Sequence, residues 1–385
     1  MDYRLLLLIA DFIAAGLVAF SLNWLALIPF RRSEGRHWTE RARALYPARA
    51  SARSQVWQVP VLVAVGQWIL LENRGPYWIL AGIAAWLGVV FASYFFSREV
   101  CPKLTARSWL HQVVVGWSIA VLWWGIVVAI AVAMPAWLDW RGGVLLTIFF
   151  AACMVWAFGG FVWFGKKARM FMPAPERLRS IVQEVSARMR VTVRGVWVAQ
   201  GVGARAYIIP YTRDVFFSAT VAAYPDTEIA AICAHELGHC CEPRRVRIAR
   251  LASCVALVPW LLIKPWFHYS GVASIFMALG AFWIIRLWSQ DLSRHMEVHA
   301  DRQGRENEAD LGVYARALEH VYQDNLAPAV MPEKHSHPHL YDRLLSVGFT
   351  PSYGRPEPPD SRTMYNRLLW ALLILLGIMV LMKLQ

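Results

Sequence analysis

Residues 113–134 have the sequence VVVGWSIAVLWWGIVVAIAVAM, which contains no Asp, Glu, Lys or Arg. The same is true of residues 77–96 and 142–165. A helix needs about 20 mainly apolar residues to cross a bilayer, so each of these blocks is long enough to span. Only 17% of the 385 residues are charged, against about 25% in soluble domains. The pattern therefore predicts a mainly α-helical, polytopic membrane protein.

Shorter or less uniform apolar runs occupy residues 5–30, 56–71, 251–263, 270–285 and 368–382. Together with the polar stretches, they predict a membrane domain of about five helices at 1–166, soluble parts at 167–250 and 288–366, a membrane hairpin at 251–287, and a C-terminal helix at 367–385. Both hairpin runs are shorter than a full span. The hairpin therefore either crosses the bilayer with help from flanking Lys and Arg or only dips into it.

The net charge of +13 first suggests a nucleic-acid partner. The basic residues are instead concentrated beside the apolar blocks, within 31–53, 98–107 and 166–169. Basic residues beside spans mark the cytoplasmic side and contact anionic lipids. We therefore expect the soluble parts to face the cytoplasm, membrane lipids to be partners, and nucleic acid not to be one. The cysteines form no CxxC spacing, so a disulfide framework is not indicated.

The first soluble part contains the run His235-Glu236-Leu237-Gly238-His239. Residues 225–234 before it favour a helix, with acids in the first turn and a helix-forming apolar run after them. On a helix, residues four apart lie on one face, so both imidazoles can bind one tetrahedral metal ion. Glu236 is displaced by one helical step and can reach a water without coordinating the metal. The alternative without a metal site is a surface helix with scattered histidines.

A catalytic zinc takes three protein ligands and leaves one position open. No histidine closely follows His239, so the third ligand must come from a later segment. Residues 293–301 contain Glu297 and Asp301 four residues apart on one helical face. This spacing lets Glu297 bind the metal while Asp301 supports a ligand histidine; the alternative is the acidic face of a solvated helix. Residues 309–322 predict an amphipathic helix that packs under the site.

The HELGH run, the hairpin and the pattern S-R-x-x-E-x-x-A-D at 293–301 resemble the membrane gluzincin peptidases. This family comprises the HtpX-type heat-shock proteases and the CAAX prenyl endopeptidases. The segment 337–343, HPHLYDR, is similar to the late His-Pro…Arg motif of the family. The resemblance covers roughly residues 167–350 and implies an α+β zinc metallopeptidase (gluzincin) domain that the hairpin interrupts.

The resemblance also implies the roles of individual residues. The zinc ligands would be His235, His239 and Glu297, which bind one Zn²⁺ per chain. Glu236 would be the general base and acid, and Asp301 would orient a ligand histidine.

Two further regions acquire roles from the resemblance. His337 would stabilise the oxyanion, and Arg343 would hold the site together. Ala206 and Tyr207 are the nearest match to the strand that pairs with substrate in the family, although Arg205 stands where the family usually has Asn.

These observations predict an integral membrane zinc endopeptidase. The expected substrate is a polypeptide, either a misfolded membrane protein in quality control or a lipidated C-terminus in processing. The rival function is a non-catalytic scaffold or transporter-like protein with a structural zinc site. The chain has 33 Arg against 6 Lys, which indicates a GC-rich bacterial genome and hence a multi-pass protein of the inner membrane.

Overall fold

The computed structural model describes residues 3–70, 77–201, 203–243, 246, 253–332 and 339–384. Its helices are α1 (Tyr3–Ala26), α2 (Ile28–Arg31), α3 (Trp38–Leu70), α4 (Tyr77–Val100), α5 (Ala106–Ala133), α6 (Trp140–Ala157), α7 (Gly160–Lys167), α8 (Glu176–Met189), α9 (Asp226–Gly238), α10 (Val258–Leu261), α11 (Ile263–Ser270), α12 (Ala273–Glu306), α13 (Val313–Asp324), α14 (Leu340–Ser346) and α15 (Met364–Leu384). Its strands are β1 (Phe171–Pro173), β2 (Gly195–Ala199), β3 (Ala206–Ile209) and β4 (Asp214–Ser218). The strands therefore lie in the part of the chain just before the HELGH run.

Within the described residues, five helical stretches are long and apolar enough to cross a membrane: Tyr3–Arg31, Tyr77–Val100, Ala106–Ala133, Trp140–Ala157 and Ala273–Glu306. α15 adds a shorter apolar stretch, Met364–Met379. Large apolar side chains such as Leu17, Val132 and Ile284 are more than 60% exposed on these helices. Extended apolar surfaces of this kind are stable against lipid and unfavourable in water. The predicted polytopic helical membrane fold is confirmed.

The second apolar run, 56–71, does not begin a helix of its own. Its described residues, 56–70, form the C-terminal half of α3, which already begins at Trp38 and includes Pro47 and Pro60. The basic residues that follow Trp38 are therefore helical. The arginines in this stretch alternate with alanines, and both residue types favour helix strongly.

The described chain forms two compact units, the first of which comprises Met1–Trp109, Asn325–Glu333 and Tyr353–Gln385. In this unit α1 and α4 cross closely. A Cβ atom added to Gly88 would collide with the carbonyl oxygen of Phe12, and small side chains such as Ala15 and Ala85 fill the rest of the contact. Close approach through small residues is how helices associate where lipid removes the hydrophobic driving force.

The second unit comprises Leu110–Asp324 and Lys334–Ser352. Its four strands form one sheet in the order β1-β2-β4-β3. β2 and β4 are parallel, whereas β1 and β3 pair with them in antiparallel fashion at the two edges. Apolar side chains of the sheet, α8 and α9 pack into one core, which includes Leu178, Val182, Phe217 and Ile229. The sheet thus supports α9 on one side and leaves β3 as an edge strand.

The region predicted as a hairpin has two unlike arms. In the described part of the first run, a short 3-10 helix at Ser253–Leu257 is followed by the short helices α10 and α11. From Ala273 onwards, the second run, 270–285, is part of α12 and continues without interruption to Glu306. The apolar run and the predicted third ligand therefore lie on the same helix. The division of the chain at residues 166, 250, 287 and 366 follows hydropathy and stays a prediction.

Candidate active site

Helix α9 holds the histidines of the HELGH run. His235 lies in its last turn and is buried, and His239 is the C-cap residue. The two imidazole rings have their centroids 5.2 Å apart. Ile229, Cys233 and Leu237 are buried and fix the opposite side of α9 in the core, so both histidines point away from the sheet packing towards α12.

Glycine allows α12 to approach α9. A Cβ atom added to Gly238 would lie 3.1 Å from the Cα atom of Ala300, a separation that real Cβ atoms reach only when a neighbour gives way. Because α12 lies this close, Glu297 on the same helix reaches the histidines. Its carboxylate oxygens are 3.7 Å from Nε2 of His235 and 3.8 Å from Nε2 of His239.

The three side chains fit a zinc ion. One ligand atom from each of His235, His239 and Glu297 lies within 4.8 Å of the other two. Ligand atoms at about 2.1 Å from a tetrahedral zinc lie about 3.4 Å from one another, so the observed separations need only small adjustments. Two imidazole nitrogens and one carboxylate oxygen are also the donor set that catalytic zinc takes in several peptidases.

The other nitrogen of His235 is held by a buried polar network. Nδ1 of His235 lies 2.8 Å from the hydroxyl of Tyr314 and 3.1 Å from Oδ1 of Asp301. The Tyr314 hydroxyl donates a 2.7 Å hydrogen bond to Asp301, so it can accept the Nδ1 proton of His235. A proton held on Nδ1 in this way leaves Nε2 able to coordinate a metal, which is the arrangement that hydrogen-bond partners of metal-binding histidines generally impose.

Arg343 closes this network from the other side. Its guanidinium donates to both carboxylate oxygens of Asp301, at 2.8 and 2.5 Å, and lies 3.8 Å from Glu297. Burial alone would lower the pKa of Arg343, but the facing Asp301 carboxylate outweighs burial and raises it. Burial, reinforced by Asp301, raises the pKa of Tyr314 well above its usual value. Both groups therefore keep their protons, and Arg343 neutralises a carboxylate that would otherwise be buried and unpaired.

His239 has its own carboxylate partner. Nδ1 of His239 lies 2.9 Å from Oε1 of Glu242, and the Glu242 side chain is only 2% exposed. Burial would lower the pKa of His239, but the carboxylates of Glu242, Glu236 and Glu297 outweigh burial and raise it. The same negative potential that favours a proton on His239 favours a divalent cation between the two histidines.

These three ligands open onto a cavity of about 640 Å³. Glu236 is half-buried in its wall, next to the ligand histidines. Apolar side chains line much of the remainder, among them Ile232, Met296, Leu318 and Val321. A water molecule and a peptide segment can therefore reach Glu236 and the ligands from the same side.

The edge strand β3 forms another wall of this cavity. Ala206, Tyr207 and Ile208 line it, and β3 is antiparallel to β4 with Tyr207 opposite Phe216. The backbone nitrogen of Ser218 donates to the carbonyl of Arg205, and antiparallel pairing alternates from residue to residue. The backbone groups of Ala206 and Ile208 therefore point away from β4, towards the open edge.

Seven of the nine site residues that the sequence predicted line one cavity in the structure. His235, Glu236, His239, Glu297 and Arg343 line the cavity together with Ala206 and Tyr207. Asp301 lies behind them in contact with His235 and Arg343. The prediction for His337 falls outside the described residues. The amphipathic helix predicted at 309–322 is confirmed as α13, which begins at Val313.

Sequence reasoning missed Glu242 and Tyr314. Glu242 is three residues after His239 and thus within one turn of it, so a search for carboxylates near each ligand histidine would have found it. Tyr314 has no comparable signal, because it is 79 residues from His235 and its position depends on how α13 packs.

Comparison with known proteins agrees with this geometry. The family model of peptidase family M48 matches residues 174–348, which include the HELGH run, residues 293–301 and residues 337–343. No curated protein matches the chain. M48 is the family of HtpX and the CAAX prenyl endopeptidases, and its members are zinc metallopeptidases. Residues 174–348 therefore match the metallopeptidase family M48, and the chain that carries this match also has helices long and apolar enough to make it an integral membrane protein.

Proposed function

We propose that the chain is a zinc endopeptidase that holds one zinc ion and hydrolyses peptide bonds with Glu236 as the general base. The observation that carries this proposal is the convergence of His235, His239 and Glu297 within 4.8 Å in a cavity whose wall also contains Glu236. A purely structural zinc site needs neither an adjacent carboxylate that does not coordinate nor access for a substrate.

A zinc ion bound by these side chains would supply Lewis acidity, which lowers the pKa of water towards about 7 and polarises the scissile carbonyl. Glu236 takes a proton from the attacking water and delivers it to the leaving amine. The resemblance to the membrane gluzincins assigns to His337 the stabilisation of the carbonyl oxygen as negative charge develops there. Tyr314, Asp301 and Arg343 keep His235 in the tautomer that leaves Nε2 available.

The edge strand β3 supplies the substrate site in this proposal. A substrate segment pairs with the outward-facing backbone groups of Ala206 and Ile208, as peptides do when they extend a sheet edge. The side chain of Tyr207 lines the cavity beside that segment. This pairing holds the scissile bond along the cavity wall without requiring a particular substrate sequence.

The continuity of α12 supports a substrate in or near the bilayer. Its apolar run ends near residue 285, so Glu297 follows after about 18 Å of helix. This short distance along the helix supports a site close to the membrane surface. The basic residues at 166–169, directly after an apolar block, support a cytoplasmic side for the soluble parts. We propose that the protein acts in the quality control or processing of membrane-attached polypeptides, such as misfolded membrane proteins or lipidated C-termini, in a bacterial inner membrane.

The test combines zinc content with cleavage. Glu236→Gln in the full-length protein should retain one zinc per chain and lose casein hydrolysis by about 10²- to 10⁴-fold, the usual contribution of a general base. His235→Ala and Glu297→Ala should lose the metal and the activity together. Zinc is measured by mass spectrometry of the purified protein, and hydrolysis is measured with and without a chelator.

Each outcome assigns a function. Full activity of Glu236→Gln would refute the role of Glu236. Stoichiometric zinc in the wild-type protein with no cleavage of any substrate would favour the structural zinc of a non-catalytic scaffold. If Glu236→Gln is inactive and still binds zinc, cross-linking it in membranes identifies the trapped substrates.

A further inference from the structure

The first unit contains a cavity of about 1010 Å³ that plays no part in the proposed peptidase chemistry. Its wall is formed by the end of α1, by α2, by the first part of α3 and by the segment before α15. Four arginines line it, Arg32, Arg36, Arg43 and Arg362, against two carboxylates, Glu40 and Asp360. The lining therefore carries a net charge of +2 and favours an anionic ligand.

The arginines in this cavity differ in whether a carboxylate pairs with them. Arg36 pairs with Glu40 at 3.3 Å, and Arg43 pairs with Glu357 at 2.6 Å, all four side chains being exposed. In the described part of the chain, no carboxylate pairs with Arg32, and Arg362 has only the ring of Trp370 beneath it. Arg32 and Arg362 are thus the cations that remain available to a ligand.

The other part of the lining is apolar. Leu25, Ala26, Ile28, Pro29 and Met364 contribute to the same wall. Leu25 and Ala26 belong to the end of the apolar stretch Tyr3–Arg31, and Met364 begins the apolar stretch Met364–Met379. A ligand that fills this cavity therefore meets arginines on one side and membrane-type side chains on the other.

The height of the cavity relative to the bilayer follows from the ends of three apolar helices. α1 ends beside it and α15 begins beside it. Arg31, the last residue of α2, connects this region to the end of α4 by two hydrogen bonds to Glu99, of 2.7 and 2.8 Å. Trp24, on which Arg31 stacks, and Trp370 are residues of the type found at membrane interfaces. The cavity therefore lies where the hydrocarbon layer gives way to lipid headgroups.

We propose that this cavity binds one anionic phospholipid, with its phosphate held by Arg32 and Arg362 and its acyl chains against the end of α1. Guanidinium groups suit phosphate because they donate several hydrogen bonds in a planar fork. A free phosphate or another soluble anion would use the same arginines but not the apolar wall.

The test is native mass spectrometry of the full-length protein, delipidated in detergent and titrated with phosphatidylglycerol, phosphatidylcholine or inorganic phosphate. The wild-type protein should bind one phosphatidylglycerol in preference to phosphatidylcholine. Each arginine near an anionic headgroup contributes about fivefold, so Arg32→Gln/Arg362→Gln should weaken binding about 30-fold. Arg32→Gln alone, which leaves Arg362 on Trp370, should weaken phosphatidylglycerol binding about fivefold. This single variant provides the test if the double variant does not fold.

The matched control is Arg179→Gln/Arg188→Gln, which removes the same charge from exposed positions on α8. This variant should bind phosphatidylglycerol like the wild-type protein. Equal losses in the two double variants, or equal binding of phosphatidylcholine and phosphatidylglycerol, would overturn the proposal. Displacement of the lipid by inorganic phosphate at similar concentration would overturn the lipid as occupant and leave a soluble-anion site. None of these outcomes depends on peptidase activity.

Discussion

The carboxylate of Glu242 should strengthen zinc binding through His239. Glu242→Gln keeps an acceptor oxygen for Nδ1 of His239 but removes the negative charge, whereas Glu242→Ala removes both. Outer partners of metal-binding histidines contribute about 10- to 100-fold to metal affinity, or about 1.4–2.8 kcal/mol. The 2.9 Å contact and the near-complete burial of Glu242 leave no water to replace it. We therefore expect about tenfold weaker zinc binding for Glu242→Gln and about 100-fold for Glu242→Ala.

The assay is competition for zinc between the purified full-length protein and a fluorescent chelator. Glu228 in the first turn of α9 offers a matched control, since it contacts Nδ1 of His320 at the same 2.9 Å but neither residue lines the active-site cavity. Glu228→Gln should therefore bind zinc like the wild-type protein. The reasoning is refuted if Glu242→Ala keeps wild-type zinc affinity, or if Glu228→Gln loses as much affinity as Glu242→Gln.

Two further predictions concern the support of the site and the edge strand. Arg343→Met leaves the buried Asp301 carboxylate without its cation and should lower the free energy of unfolding by about 3–5 kcal/mol, and Arg343→Met/Asp301→Asn should recover part of that loss. Equilibrium unfolding in detergent micelles measures this free energy. A decrease no larger than that caused by Arg179→Met at an exposed position would contradict the prediction. Ala206→Pro removes an outward-facing amide but no β3–β4 hydrogen bond, so it should raise KM about 2- to 12-fold, the effect of one hydrogen bond, with kcat and zinc content kept. An unchanged KM for every cleaved substrate would exclude substrate pairing at that position.

The sequence was most informative where the relevant physics is local. Residues 113–134 identify a membrane protein because bilayer thickness sets a minimum run length. His235 and His239 identify a metal site because the helical repeat alone places them on one face. Local charge was a weaker guide, as α3 shows, because arginines between alanines are compatible with both a loop and a helix.

Other features depended on the tertiary structure. The distance between His239 and Glu297 is set by the contact of Gly238 with Ala300, and the role of Tyr314 is set by how α13 packs. The helical repeat relates only residues a few positions apart, so it predicts neither feature. The sequence by itself therefore determined the class of protein and the motif residues that can hold a metal, because hydropathy and helical spacing act over a few turns. Only the folded chain decided that α12 carries both an apolar segment and Glu297, that β3 is an open edge, and that Arg32 and Arg362 line one cavity, because these depend on contacts between residues distant in sequence.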